Sequence, residues 1–336
     1  MRPLKIGVTY DLRDDYRAVG FSEEDSAEFD AEETIVALFE ALVALGHRVE
    51  RIGNVRALTA ALANGERWDC VFNICEGIKG VAREAQVPAL LEAFDIPYVF
   101  SDPLTLALAL DKAMAKRVVR DVGVPVADFA VIESVNDIAQ VQLSFPLFLK
   151  PSSEGSGKGV DSHSRVEDKP ALERVARDLL CRFRQPVLVE EYLPGHEFTV
   201  GILGTGAEAR VLGVMEIVPG EKFVGHGYGL QNKEDWIGKL TVHRATGPEA
   251  EAAATVALAA WRALRCRDGG RCDIRQGKDG SPRFIEVNPL AGIRPGYSDL
   301  CFIADFEGLS HRDLIGAFMD SFLRRHPELR AAEAAQ

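Results

Sequence analysis

The sequence predicts an α/β protein that changes style along its length: a parallel sheet with helices first, then an α+β arrangement in the C-terminal half. Three observations carry this. Over roughly the first hundred residues, short apolar β-rich runs alternate with amphipathic helical stretches, which is how parallel sheets are built. Beyond Pro125 a glycine-rich loop interrupts that rhythm, and later strand-like runs flank short glycine turns, as antiparallel hairpins do. Finally, 336 residues with 47% hydrophobic and 27% charged content suffice for two or three domains with cores of their own. That excludes disorder and a disulfide-stapled miniature fold.

Taken in order, residues 5–10 read as a strand. A helix follows, with Asp30 as its N-cap and Glu33 as capping-box partner. Ile35, Leu38, Phe39, Leu42 and Leu45 form its apolar stripe, and Gly46 ends it. Residues 48–52 are a strand, 55–63 a helix, 70–74 a buried strand, 84–94 a helix and 97–100 another strand. A helix over 112–121 is broken by Gly123-Val124-Pro125. Residues 145–150 form a strand feeding the loop 151–159, followed by a helix over 167–182 and a strand over 187–190. Two β-rich runs within 197–217 flank Gly204-Thr205-Gly206. The aperiodic, glycine-containing stretch 218–239 reads as a functional or disordered loop. The chain closes with a helix over 248–264, strands over 271–275 and 283–287, a loop to Ser298, and helices to about Arg325.

The net charge of −12 repels phosphate backbones and anionic lipid, so neither nucleic acid nor membrane is an expected partner. A small polyanion could still enter a local basic pocket. No stretch approaches the ~18–20 apolar residues of a membrane span; the most apolar run, 104–110, stops at Asp111 and Lys112. Met1-Arg2-Pro3 leads straight into the first strand without a signal-peptide core. The six cysteines form no C-x-x-C pair and lack zinc spacing, so they read as reduced, mostly buried thiols of a cytoplasmic protein.

Three constellations could carry chemistry. The loop after Lys150 holds Ser152, Ser153, Glu154, Gly155, Ser156, Gly157, Lys158 and Gly159. Glycines let backbone amides approach phosphate oxygens. It is not a Walker A loop, because Ser152 and Gly159 stand where that motif needs glycine and a hydroxyl; alone it could equally be a mobile surface loop. Second, Arg271 and Asp273 share a strand face, as do Glu286 and Asn288. Pairing of their strands through a turn at 277–281 would converge two carboxylates and an amide, donors that suit Mg²⁺. The same pattern is compatible with a solvated face of cross-strand ion pairs. Ile274, Ile285 and Val287 are expected on the opposite, apolar side. Third, the segment 187–197 ends a strand in Glu190, Glu191 and Tyr192 before Gly195 and Glu197, a hinge able to hold a purine nucleoside or a plain acidic turn.

The ordered set Leu110-Asp111-Lys112, Leu149-Lys150-Pro151 with Glu154-Gly155-Ser156, Glu190-x-Tyr192-Leu193-x-Gly195-x-Glu197-Phe198-Thr199-Val200, Arg271-x-Asp273 and Glu286-x-Asn288-Pro289 resembles the D-alanine–D-alanine ligase branch of the ATP-grasp superfamily. The resemblance spans roughly residues 69–300. It implies an ATP-grasp fold behind an N-terminal parallel-sheet domain, with domains at 1–105, 106–195 and 196–336. It implies ATP and Mg²⁺ (Mn²⁺ being possible) and small amino-acid-like substrates, with a homodimer as assembly. By position, Lys112 and Lys150 would touch the ATP phosphates, and Glu154 would belong to the ATP site with them. Glu190, Glu191, Leu193 and Glu197 would serve the nucleoside, and Asp273, Glu286 and Asn288 the metal. Arg271, Ser156 and Lys233 would serve the reacting groups. An authentic D-alanine–D-alanine ligase and a non-catalytic nucleotide module are the alternatives.

The sequence departs from the family on the substrate side. Asp11-Leu12-Arg13 replaces a glycine-rich turn with serine and glutamate, and Asn73-Ile74-Cys75-Glu76-Gly77 replaces a histidine-glycine segment. Glu234 stands in place of a tyrosine, and Arg294 adds a cation beyond the metal asparagine. A substrate other than D-alanine is therefore expected.

Overall fold

The computed structural model describes residues 2–220 and 240–331; the expected loop 218–239 with Lys233 and Glu234 falls almost entirely outside the described residues. The first sheet contains β1 (Lys5–Tyr10), β2 (Arg48–Gly53), β3 (Cys70–Ile74) and β4 (Tyr98–Val99), all parallel in the order β2-β1-β3-β4. Every residue of β3 is buried, as suits a strand covered on both faces. Ile6, Val8 and Phe72 pack against the helix Glu32–Ala44 on one face. Trp68 and Val71 meet the helices Val55–Ala63 and Gln86–Ala93 on the other.

One local expectation fails. The helix Glu32–Ala44 has Ala31 as its N-cap, with no side-chain capping bond from Asp30 and no capping box. Asp30 is instead held extended in a bridge to Leu12: its N–H donates to the Asp11 carbonyl at 3.0 Å, and its carbonyl accepts from Arg13 N–H at 2.8 Å. Tertiary pairing has overridden the local cap, and Asp30 lines a cavity. Gly46 ends the helix as expected, at φ +92°, which only glycine adopts readily.

The second sheet holds β5 (Phe129–Ile132), β6 (Leu147–Pro151), β7 (Arg165–Val166) and β8 (Val187–Glu191), antiparallel in the order β5-β8-β6-β7. The helix Lys169–Phe183 covers it through Leu172, Val175, Ala176 and Leu179. The edge strands β5 and β7 are too short to show a clear period in the sequence.

The third sheet is antiparallel, in the order β11-β10-β9-β12-β13, from β9 (Glu197–Leu203), β10 (Arg210–Pro219), β11 (Leu240–Arg244), β12 (Gly269–Gln276) and β13 (Pro282–Asn288). Phe198, Val200, Ile202, Cys272 and Ile274 alternate onto the face covered by the helix Pro248–Ala263 and its Trp261. On β13 the alternation breaks. Asp273 pairs with Glu286 but Ile274 pairs with Phe284, so Ile285 is the extra residue of a β-bulge. Phe284 takes the core position, and Ile285, expected inside, lines a cavity instead.

The helices Asp299–Phe306 and His311–Arg325 return to the first sheet. Phe318 meets Phe100 edge-on at 5.2 Å between ring centroids, and Phe100 meets Phe72 the same way at 5.2 Å. One continuous core therefore joins the ends of the chain. All six cysteines are free, and only Cys181 is exposed. Among the described residues, no helix is long and apolar enough to cross a membrane.

Candidate active site

Two cavities open between the sheets and share a wall. The narrower, about 100 Å³, is lined by Phe148, Lys150, Glu190, Tyr192, Leu193 and Glu197 together with Asp273 and Arg275. The wider, about 180 Å³, is lined by Glu28, Asp30, Glu76 and Glu84 on one side and by Ser156, Arg271, Asn288 and Arg294 on another. Lys112, Glu154 and Glu286 line both.

The third sheet builds one side by register. Arg271 pairs with Asn288 and Asp273 with Glu286 between β12 and β13, while Thr199 of β9 stands opposite Asp273. Side chains at these positions share one face. Asp273 accepts from Thr199 Oγ1 at 2.9 Å, from Arg271 Nη1 at 2.8 and 2.6 Å, and from Asn288 Nδ2 at 3.3 Å. Arg271 also reaches Asp299 at 3.4 Å, and Lys112 Nζ lies 3.2 Å from Glu286. The expected strand pairing and convergence of Asp273, Glu286 and Asn288 are thus found. Two carboxylates and an amide oxygen form a hard donor set that fits Mg²⁺, provided that the Asn288 amide, whose Nδ2 now faces Asp273, turns to present Oδ1.

The second sheet and the helix Lys112–Asp121 build the other side. Asp111 caps that helix by accepting from Ala113 and Met114 N–H, and it also accepts from Ser152 Oγ at 3.0 Å. This ties the helix N-terminus to the glycine loop, where Lys112 Nζ donates to the Glu154 carbonyl. One turn on, wholly buried Lys116 pairs with Glu190 at 2.7 Å and donates to the Phe284 carbonyl at 2.8 Å. Lys150 pairs with the other Glu190 oxygen at 2.8 Å. Burial pushes the Glu190 carboxyl upward, but the two ammonium groups outweigh it and hold it at about 2. Burial likewise works against charge on Lys150, yet Glu190 and Glu286 raise it above the usual lysine value.

Each expected residue but Lys233 has a definite place. Lys150, Glu190, Glu191, Leu193 and Glu197 all line the narrower cavity, with Glu197 paired to Arg275 at 3.1 Å. Glu190 lies between two lysines, so its carboxylate bears on Lys150 as much as on a nucleoside. Ser156 lines the wider cavity in the left-handed region, at φ +51°. Lys158 is turned onto Glu154 at 2.7 Å and Glu28 at 3.3 Å rather than standing as a bare cation. Lys233 lies outside the described residues.

Residues to which the sequence assigned no site role are Glu28, Arg83, Lys116, Thr199, Arg275 and the acids Glu76 and Glu84. Lys116 could have been found, because four residues after Lys112 is the same helix face. Thr199 shares its strand face with Glu197. Glu28, Glu76 and Arg83 come from distant segments and leave no local signal.

The wider cavity is electrostatically different. Burial raises Asp30 to about 8, helped by Asp11. Burial raises Glu84 to about 7 against the pull of Arg83, and burial with Glu84 and Glu28 raises Glu76 well above the carboxylate range. Among the described residues, none of these three has an ion-pair partner within 4.0 Å. A cationic group entering this cavity would restore their charges.

A cleft between two antiparallel sheets, with lysines from both a helix and a strand and paired acids opposite, is the arrangement of an ATP-grasp enzyme. The family signature described as "D-ala D-ala ligase C-terminus" matches residues 118–320. The chain is 34% identical over 265 residues to a D-alanine–D-alanine ligase of Xanthomonas axonopodis pv. citri, covering 76% of this chain and 79% of the relative. It is 32% identical over 266 residues to the uncharacterized protein y4sG of Sinorhizobium fredii, covering 76% and 75%. Among solved structures, the D-alanine–D-alanine ligase of Bacillus anthracis complexed with ATP superposes with a TM-score of 0.71 at 22% identity, covering 97% and 99%. The D-Ala:D-Ser ligase VanG of Enterococcus faecalis gives 0.72 at 20% identity, covering 96% and 100%. The chain therefore belongs to the D-alanine–D-alanine ligase family of ATP-dependent C–N ligases.

Proposed function

We propose that the protein is a Mg²⁺-dependent carboxylate–amine ligase that forms a dipeptide-like amide through an acyl phosphate, with amino-acid substrates other than D-alanine alone. The observation that carries this reading is the shared wall. The narrower cavity offers lysines and acids able to accept from a nucleoside, the wider one offers amine- and carboxylate-binding groups, and Lys112, Glu154 and Glu286 belong to both. A phosphoryl group transferred at that junction passes from nucleotide to carboxylate without crossing solvent.

In this reading Lys112 and Lys150 hold the triphosphate, Glu190 keeps Lys150 charged and in place, and Glu191, Leu193 and Glu197 receive the nucleoside. Asp273, Glu286 and Asn288 hold the magnesium, which supplies charge neutralisation on the transferring phosphate. Arg271 lies beside that site and stabilises the negative charge of transfer. The substrate carboxylate attacks the γ-phosphorus, ADP leaves, and an amine then displaces phosphate from the acyl carbon. No protein nucleophile is needed, so positioning by Ser156 and the wall residues carries much of the rate. Asp30, Glu76 and Glu84 receive substrate amines, and Arg294 a carboxylate.

Incubation with ATP, Mg²⁺ and paired amino acids should release phosphate only when donor and acceptor are both present. Equal release with D-alanine alone would mark an authentic D-alanine–D-alanine ligase, the reading favoured by the name of the Xanthomonas relative. No release across a broad panel would sink the ligase reading.

A further inference from the structure

Glu28 lies between the helices Glu23–Ser26 and Glu32–Ala44, more than a hundred residues before the glycine loop, yet its carboxylate reaches that loop. It accepts a hydrogen bond from the Gly155 amide, two from Arg83 Nη2 at 3.2 and 3.3 Å, and it pairs with Lys158 Nζ at 3.3 Å. Only 6% of its side chain is exposed. Arg83 donates in turn to the Ser153 carbonyl at 2.9 Å, and Lys158 pairs with Glu154 at 2.7 Å. Glu28 and Arg83 from the N-terminal part of the chain thus interlock with Glu154 and Lys158 of the loop.

Gly155 explains why the contact matters. Its backbone is not left-handed, so conformation alone does not require glycine there. A Cβ at this position would fall 2.7 Å from Glu28 Oε1, and the three nearest atoms all belong to Glu28. The approach of the carboxylate is what demands glycine. The next residue, Ser156, stays left-handed at φ +51°, which a non-glycine residue does only where its surroundings fix it. Gly155 and Ser156 line the wider cavity, while Gly157 and Lys158 line the narrower.

We propose that Glu28 is a positioning residue for this loop: by holding the Gly155 amide, Arg83 and Lys158, it fixes Ser156 toward the substrate cavity and Lys158 at the nucleotide cavity. Although burial pushes its carboxyl upward, Arg83, Lys158 and the Gly155 amide outweigh that and keep it ionised at neutral pH. The inference rests on the nucleotide reading of the narrower cavity.

The test uses Glu28→Ala, Gly155→Ala and their double variant, with ATP–Mg²⁺ binding measured by titration calorimetry. Each single change should weaken binding about tenfold or more. The double variant should bind no worse than Glu28→Ala, because the added methyl then meets no carboxylate. Glu28→Gln, which keeps an acceptor for the Gly155 amide, should recover part of the loss. Hydrogen exchange of the 153–158 amides should speed up in Glu28→Ala while exchange elsewhere stays as in the native chain. Multiplying effects in the double variant, or native or tighter binding by Glu28→Ala, would overturn the proposal. If the native protein itself binds no ATP, the nucleotide reading fails, and the exchange comparison alone decides the role in the loop: unchanged exchange there overturns it. Should Glu28→Ala not fold, Glu28→Gln alone is compared with the native chain: weaker ATP–Mg²⁺ binding with faster exchange of the 153–158 amides supports the proposal, and native binding with native exchange overturns it.

Discussion

The two cavities meet at one wall but are built on opposite electrostatic plans. Around the narrower, charges are already matched: Glu190 by Lys116 and Lys150, Glu197 by Arg275, Glu286 by Lys112. Around the wider, Asp30, Glu76 and Glu84 are raised toward neutrality chiefly by burial, with nearby acids adding to it: Asp11 at Asp30, Glu84 and Glu28 at Glu76, and Glu28 at Glu84. The difference teaches a division of labour. In the proposed reading the nucleotide side holds its cations in place before phosphates arrive, whereas among the described residues the three acids of the substrate side stay without an ion-pair partner until a substrate supplies a cation.

The largest expected effect lies where the two plans meet. Asp273→Ala removes a donor from the proposed metal set and the partner of Arg271 and Thr199. Turnover should fall by about 10³-fold or more while circular dichroism stays native. Glu286→Ala should do the same. Near-native phosphate release by either would remove the metal assignment and with it the shared-wall reading.

Next comes the matched side. Lys116→Met leaves Glu190 and Lys150 as a pair but strips one cation from a wholly buried carboxylate. Breaking a buried pair costs roughly 3–5 kcal/mol, readable by urea denaturation. The pH dependence has a definite sign. Glu190 titrates at about 2 when folded against an ordinary value of 4.5, so its contribution is complete above about pH 4.5 and is lost as pH falls toward 2. Glu190→Gln should therefore flatten the acid limb of a stability-against-pH curve; an unchanged limb would show that the pairing carries no stability. Lys150→Ala should act chiefly on binding, weakening ATP–Mg²⁺ about 10- to 100-fold by calorimetry.

How far the sequence disclosed all this follows the same division. The proposed metal face and nucleoside segment depend on alternation within single strands and one hairpin register, so Arg271, Asp273, Glu286 and Asn288 were legible together. Even there, the bulge at Ile285 reversed one side chain, since an extra residue leaves no mark in an apolar run. The substrate side depends on Glu28, Glu76, Glu84 and Arg83, brought together by a parallel sheet and an irregular stretch. No short-range spacing encodes their meeting. Asp30 shows the cost most plainly: its local pattern spells a helix cap, and a bridge to Leu12 takes it elsewhere.

The smallest effect probes that substrate side through stability alone. Asp30 holds its proton to about pH 8 when folded, whereas an ordinary aspartate releases it near 3.8. The unfolded chain therefore loses a proton that the folded chain keeps, and stability declines as pH rises from about 4 to 8, then levels off. Asp30→Asn keeps the shape without the charge, and should stabilise the protein increasingly over that interval. By pH 8 the gain should be on the order of 1–3 kcal/mol, less than the full shift implies because the side chain borders an open cavity. Melting temperatures of the two proteins at about pH 5 and pH 8 test this directly. A difference that widens with pH fits an acid-rich cavity awaiting a cation. Parallel curves would mean that Asp30 is already matched, and the contrast between the two cavities would shrink to Glu76 and Glu84.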